Sequence, residues 1–383
     1  MITALPVTLS RFSYSRYEAA PSGSVVEATI TPTGTPGDVY MVSMIRATRG
    51  ADLLVSSQTV IIVTSGVPVV VQFNLRTLVD ADGLSSVPCS LDRDDYRIEA
   101  RAVVGTVSDA VPFTVVPLLP EEMRKRWLKG LPLTNLPGGI PYSVSDEEIV
   151  EVTLHAYAEA AAFLHVNLEP RLVVTSRLIS SHEENPVLSW DVLSIPVGYY
   201  RRPGYVPWQS ISLPHHSVLS LRRLEGWFNK TRVINFTSDW WVVQPTSGLI
   251  SLVPSTGALL QYEIIGSAYY GMFLNKVNIP EFWEYFAVCG MREVPAPLQE
   301  YIARAAALEI LSQLAQALRP YGEVALTISR DGVSESHSYA PLGAYSALMA
   351  QYQRMNGYDE KTGQNKGLDR LRQRYVGLDM VTL

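Results

Sequence analysis

Only two cysteines, Cys89 and Cys289, occur in 383 residues, too few for a disulfide framework or a four-cysteine zinc site. Both are expected as buried thiols. Charged residues make up 18% of the chain against 47% apolar ones, a globular balance that leaves surface to bury against other chains. No run reaches the ~18 uninterrupted apolar residues of a membrane span, and the opening MITALPVTLSRFSYSR lacks the charged start and long apolar stretch of a secretory leader. These absences predict a protein made and kept in the cytoplasm until it is assembled. A net charge of -6 supplies no basic field for holding nucleic acid tightly. It suits a conduit through which DNA passes without being held.

Familiar chemical motifs are missing as well. The chain has no GxGxxG opening a helix, no Walker loop, no HExxH, no GxSxG and no CxxC, which argues against nucleotide, zinc-protease and serine-hydrolase classes. His215 and His216 are adjacent, so on a strand they face opposite ways and do not share a metal. His182, Glu183 and Glu184 fall in a loop before Asn185-Pro186, where such charges are ordinary. Glu335, Ser336 and His337 are contiguous and cannot converge into a triad. The basic cluster Arg124, Lys125, Arg126 and Lys129 sits beside Glu121 and Glu122 and reads as a solvated turn. The expectation is a protein that is not an enzyme, with no catalytic residue, cofactor or metal.

What is present is organised around PAPLQEYIARAAALEILSQLAQAL, residues 295–318. Pro297 suits a first helical turn, and Leu298, Ile302, Ala305, Ala306, Glu309, Ile310, Gln313, Leu314 and Ala317 recur on one helical face. Arg319-Pro320 stops it. Its alanines leave little bulk, so a second helix, or a copy of this one, can approach closely. A chain of this length holds two or three domains at about 150 residues each.

Residues 1–117 read as an all-β domain of immunoglobulin-like sandwich type, with strands near 24–32, 39–48, 53–63, 68–74, 96–104 and 110–116. Residues 118–144 form a proline- and glycine-broken connector with a short helix near 123–129. Ser145 with Glu148 makes a capping box that opens a helix to about 166, which Asn167 ends. From 171 to 267 the period changes to two, an antiparallel β insert with strands near 172–179, 187–192, 210–224, 231–236, 240–244, 248–253 and 258–265. PEFWEYFAV, 280–288, reads as a short amphipathic helix. Residues 322–338 form a hairpin turning at Asp331-Gly332, and 342–355 return to helix. The arm 356–383 begins as a polar linker and resumes helical spacing at Leu368, Leu371 and Tyr375. The fold class is α+β: sandwich, then a core of residues 145–355, then an extended C-terminal arm.

SVSDEEIVEVTLHAYAEAAAFLHVNL, the helix from Leu298 to Leu318, and the later ISRDGVSESHSYAPLGAYSALMAQYQRM with LDRLRQRYVG together resemble the head-to-tail adaptor, or connector, proteins of tailed bacteriophages. The resemblance covers about 145–383. It implies a virion neck component: a homo-oligomeric ring, usually of twelve copies, bound beneath the portal protein, extending the DNA channel and offering a platform to a tail or neck protein. By position, Asn356, Leu368, Leu371, Arg372 and Tyr375 are candidates for the portal contact. The aromatic and arginine-rich loop with Tyr199, Tyr200, Arg201, Arg202, Tyr205 and Trp208, or the hairpin around Ser247, is the candidate for the tail contact. Family members of small size lack the sandwich and so large an insert. Two other readings stand beside it: another phage tail or baseplate structural protein, and a carbohydrate-active enzyme with an accessory sandwich and Glu183, Glu184 or Asp239 as acids.

Overall fold

Burial alternates along the first strands, and that alternation fixes which side faces the core. The structure is a computed structural model and describes residues 7–16, 21–31, 38–61, 64–103, 107–129, 131, 133–136, 140–180, 189–200, 210–215, 217–228, 231–245, 247–252, 278–318, 324–330, 333–339, 343–359 and 364–375. Its first strands are β1 (Val7–Leu9), β2 (Ser13–Tyr14), β3 (Val25–Ile30), β4 (Val39–Arg46), β5 (Leu53–Ile61), β6 (Val69–Asn74), β7 (Tyr96–Ala102) and β8 (Val107–Val115). They form a three-stranded sheet, β1-β3-β6, and a five-stranded one, β2-β8-β7-β4-β5. Val26, Ile30 and Phe73 of the first meet Tyr40, Met44, Ile98 and Phe113 of the second in one buried cluster. Tyr96 stacks on Phe113 at 5.4 Å and Tyr14 meets the same ring edge-on at 5.5 Å, arrangements that the ring quadrupole favours. Edge strand β5 carries a register shift where Met44 pairs with Ser56 and Ile45 with Leu54. Such a bulge blunts an edge against further pairing.

The connector starts at Pro120, continues as a π-helical turn over Met123–Trp127, and adds the short pair β9 (Thr134–Leu136) and β10 (Ile140–Ser143). Next comes the capped helix, Asp146–Leu164. The Ser145 hydroxyl accepts from the Glu148 N–H at 3.1 Å, while the Glu148 carboxylate accepts from the Ser145 N–H at 2.8 Å. This reciprocal box satisfies two of the donors that a helix start leaves open. His165, at φ 53°, ends it in the left-handed conformation, two residues before the stop expected at Asn167. Its buried face, Ile149, Val152, Ala156, Ala160 and Leu164, packs on the long helix Ala296–Leu318. There Leu298, Ile302, Ala306, Ile310 and Leu314 are at most 1% exposed, and so are Ala307 and Leu311 on the adjoining face. Small residues on both helices permit this close approach.

Between the two helices lies the insert. Its strands are β11 (Arg171–Thr175), β12 (Val192–Ser194), β13 (Val197–Tyr200), β14 (Ser210–Ser212), β15 (Val218–Phe228), β16 (Thr231–Phe236), β17 (Trp241–Gln244), β18 (Leu249–Leu252) and β19 (Asn278–Cys289). One sheet runs β12-β11-β19-β15-β16 with β13 also on β19, and a smaller one runs β14-β18-β17. Three expectations are corrected here. Residues 280–288 are central strand, not helix: Trp283, Tyr285 and Ala287 face one core while Phe286 and Val288 face another. A segment apolar on both faces carries no period of two, and its aromatic and β-branched content is the strand signal. The strand expected over 172–179 ends at Thr175, and Ser176–Ser180 is a helical turn. The insert is also not wholly antiparallel, because β12 runs parallel to β11. The expected strand at 258–265 lies outside the described residues.

After the long helix, β20 (Val324–Arg330) and β21 (Val333–Tyr339) pair as a hairpin, with Arg330 opposite Val333. The helix Gly343–Met355, the short pair β22 (Tyr358–Asp359) and β23 (Gln364–Asn365), and the helix Lys366–Tyr375 complete the described chain. Tyr345, Tyr352 and Leu368 join the helical core. The protein therefore mixes α and β structure in largely separate parts. Deleting side-chain volume where the two long helices meet leaves a cavity that close-packed neighbours fill only in part. Leu311→Ala should cost about 2–5 kcal/mol, read as a lower urea midpoint at unchanged slope.

Candidate functional site

Charged residues are the least tolerated in a dry interior, so buried ones mark where a fold spends its polar groups. The densest group here is Glu169, on the turn between the capped helix and β11, with no exposed surface. Its carboxylate takes Arg16 Nε and a terminal Arg16 nitrogen at 2.9 Å each, the Tyr157 hydroxyl at 3.1 Å, and the backbone N–H of Cys89. Arg171 in turn donates to the Cys89 carbonyl. Arg16 and Cys89 belong to two segments of the N-terminal part and Tyr157 to the capped helix, so three segments converge on one carboxylate, and Arg171 of β11 joins them through the Cys89 carbonyl. Burial and the Glu169 charge push the Cys89 thiol and the Tyr157 phenol well above their ordinary values. The thiol is held protonated and unreactive.

The same interface repeats the pattern twice. Asp191 pairs with Arg46 of β4 and accepts the Leu172 N–H at 2.9 Å. Burial alone would raise its pKa, but the Arg46 and Arg171 guanidiniums and that N–H outweigh it and hold the carboxyl below the usual range. Arg222 of β15 reaches Asp80 at 2.7 Å and lies 5.8 Å from the Phe286 ring. Leu84, 1% exposed, inserts among Leu172, Val174, Leu178, Phe286 and Val288. Gly290 is required close by: with φ 138°, a Cβ there would lie 2.0 Å from the Glu169 carbonyl oxygen.

A second charged group lies within the large sheet. Glu225 of β15 and Glu284 of β19 are opposite one another in the antiparallel register, and both are fully buried. Directly opposed residues share a face. Glu225 accepts from Arg223 Nε at 2.7 Å, Arg232 at 3.2 Å and Trp227 Nε1 at 2.9 Å. Glu284 has Arg177 Nε at 3.5 Å, and neither of its oxygens accepts a hydrogen bond. The neighbouring Thr175 hydroxyl is engaged with the Tyr285 backbone. Burial raises the Glu284 pKa against the pull of Thr175 and Arg177. Both carboxylates lie beneath arginines, an arrangement that neutralises charge and offers no open face to a substrate.

Ser194, Tyr285 and His215 form a hydrogen-bonded chain: the Ser194 and Tyr285 hydroxyls are 2.6 Å apart, and His215 Nε2 is 2.9 Å from Ser194 Oγ. His215 lines a shallow cleft of about 360 Å³ with His165, Asn167 and Pro214. Ser194 is buried and does not line that cleft, so the chain braces β12 against β19 without presenting a nucleophile. Among the described residues no group of three or more His, Cys, Asp or Glu side chains is placed to hold a metal ion. No described helix is long and apolar enough to cross a membrane.

The residues expected to contact partners fall into three sets. Asn356 and Leu368 are 4% and 5% exposed, inside this chain's own core. Arg304 Nε donates to the Asn356 side-chain oxygen at 2.7 Å, and Asn365 donates to the Tyr301 hydroxyl at 2.6 Å. Leu371 packs on the same core and Arg372 is half-buried, while Tyr375 ends the last described helix. The arm expected to extend is thus folded back as far as Tyr375, because Leu368 and Leu371 find an apolar seat on the helix pair. Tyr199 and Tyr200 belong to β13, paired with Ile279 and Asn278. Arg201, Arg202, Tyr205 and Trp208 lie outside the described residues, as do Glu183, Glu184 and His216. Asp239 is exposed on a 3-10 turn with the Thr237 hydroxyl bonded to it. Sequence reading passed over Glu169, Asp191, Glu225 and Glu284. Their one signal was a charge set inside an apolar strand pattern, as in LEPRLVV and LRRLEGW.

No protein-family model and no curated protein matches the chain. Solved structures give local similarity only. A β-glucosidase from Erythrobacter marinus matches at 20% identity over 30% of this chain and 16% of that one, with a TM-score of 0.21. A β-glucosidase from Listeria innocua, in complex with gluconolactone, matches at 16% identity over 29% and 16%, with a TM-score of 0.20. The chain spans about a sixth of the length of these structures, and similarity at that level carries no argument about activity.

The buried charges predict two stability effects. Glu169→Gln removes the buried anion that pairs with Arg16 and should cost about 3–5 kcal/mol, read from urea unfolding followed by tryptophan fluorescence. Asp191, held low, stabilises the fold above about pH 4 and loses that contribution as pH falls through its folded value. Asp191→Asn should therefore flatten the acid limb of a stability-against-pH curve. Glu284, held high, has the opposite sign: in the window between the two values the folded chain binds a proton that the unfolded chain has released, so stability rises as pH falls.

Proposed function

We propose that this protein is a virion structural component, a head-to-tail adaptor that assembles as a ring, of twelve copies by the family's habit, beneath a portal. The observation that carries this reading is the order and packing of parts. A capped helix and an alanine-rich helix pack side by side, a β insert separates them in sequence, and a C-terminal helix seats on the pair. The resemblance read from residues 143–168 and 298–318 has the same order of helix, insert and helix. An immunoglobulin-like sandwich, fastened rigidly to the insert, would then project from the ring without swinging. DNA would pass through the channel without sequence-specific contact, and the protein would act in the neck of the particle after synthesis in the host cytoplasm. The buried carboxylates have arginine partners, which supports a non-enzymatic role over the carbohydrate-active alternative.

Because Asn356 and Leu368 serve this chain's own core, the portal contact would fall to Arg372, Tyr375 and residues 376–383. Mass photometry of the purified chain, alone and with a candidate portal ring, tests the proposal. A closed ring, or a monomer that closes on the portal, is the expected result. Truncation after Tyr375 should abolish portal binding while leaving the urea midpoint unchanged. A monomer indifferent to the portal would remove the adaptor reading.

A further inference from the structure

Glu281, Glu284, Arg177 and Glu225 hold more than a neutralised cluster requires. Glu281 follows Pro280 and sits at φ 49°, a left-handed conformation that a non-glycine residue keeps only when its surroundings enforce it. Arg177 does the enforcing. One of its terminal nitrogens donates to the Glu281 carbonyl oxygen at 3.0 Å, the other to the Glu281 carboxylate at 3.0 Å, and its Nε faces Glu284 at 3.5 Å. The guanidinium thereby ties the helical turn Ser176–Ser180 to the start of β19. Opposite Glu284, across the strand pair, stands Glu225.

We propose that Glu284 is the proton-operated part of a latch: ionised, it holds Arg177 over β19, and protonated, it turns from Arg177 to donate its O–H to the Glu225 carboxylate. The groups facing Glu284 from each packed element are consistent with that exchange. β15 brings Glu225 and Arg223, and β16 brings Arg232, both arginines already engaged with Glu225. The turn brings Arg177, β19 itself brings Glu281, and β11 brings the uncharged Thr175. β13 opposes Trp283 with Val197 and adds no charge there. Both guanidiniums bond Glu225 Oε1 and the Trp227 indole bonds Oε2, so Oε2 keeps a lone pair that can accept a further O–H. Glu284 has a single arginine contact, at 3.5 Å, against the three donors on Glu225, so of two opposed carboxylates it is the one that takes the proton. Its upward pKa shift agrees. On protonation Arg177 loses its ion pair with Glu284, and the strained backbone at Glu281 loses one of the contacts that hold it.

Amide hydrogen exchange on the full chain tests the latch, with rates corrected for intrinsic pH dependence. Protection at residues 176–180 and 281–284 should be lower at about pH 5 than at about pH 7.5, the direction that protonating a raised carboxylate gives. Glu284→Gln should show the low protection at both pH values. Protection that ignores pH, or a Glu284→Gln chain that behaves as wild type, would overturn the proposal. Carboxyl ¹³C shifts of the unmodified, glutamate-labelled chain give a readout that does not depend on the variant folding. One buried glutamate must titrate above the exposed ones, and a spectrum in which none does would also overturn it.

Discussion

Three segments of the chain are fixed against a fourth by one carboxylate that water does not reach. An ionised group buried without partners costs far more than any single domain can spare, so Glu169 tolerates no arrangement in which Arg16, Tyr157 and the Cys89 N–H are elsewhere. The strength of the constraint lies in that penalty more than in the attraction. Hydrophobic contact alone, Leu84 in its apolar socket, would hold the N-terminal sheets against the insert but would permit sliding. The ion pairs at Glu169, Asp191 and Arg222 each demand one register. Gly290 allows the strand end to reach this junction, since any side chain there would strike the Glu169 carbonyl.

The helical core obeys a different rule. Ala303, Ala306, Ala307 and Ala315 on the long helix, with Ala156 and Ala160 on the capped one, remove the bulk that would keep the axes apart. What remains is dispersion over many short contacts, and the exposed His155–Glu309 bridge at 3.1 Å does little to set the direction. Direction comes instead from the capping box at one end and the left-handed His165 at the other. This seat is large enough to take the C-terminal helix through Leu368 and Leu371, and it leaves the polar side of that helix outward. An arm that is partly committed to its own core has less chain free for a neighbour.

Electrostatics in the large sheet is arranged less tightly than at the junction. Asp191 is well served by cations and is stabilised as an anion, while Glu284 is served poorly and resists ionisation. The two therefore push stability in opposite directions in acid. A sheet that keeps one poorly satisfied carboxylate beside a satisfied one favours the proton on the former, and Arg177 links that carboxylate to the strained backbone at Glu281.

Much of the architecture was legible in order along the chain. The alternating runs between residues 24 and 116, the Ser145–Glu148 box, the alanine-rich helix, the Asp331-Gly332 hairpin and the last amphipathic helix are all local patterns, set by side-chain period and capping chemistry within a few residues. β19 was not legible, because a strand buried on both faces has no alternation to read and its aromatics suit a helix face equally well. Neither were the charged centres. Glu169, Asp191 and Glu284 each look like an ordinary charge beside a turn or within a strand, and their partners Arg16, Arg46 and Glu225 lie tens of residues or more away. The sequence by itself determined the capped helix, the alanine-rich helix and the alternating strands, since those depend on neighbours along the chain. The tertiary structure alone decided which carboxylates are buried and which cations meet them, since desolvation and pairing depend on neighbours in space.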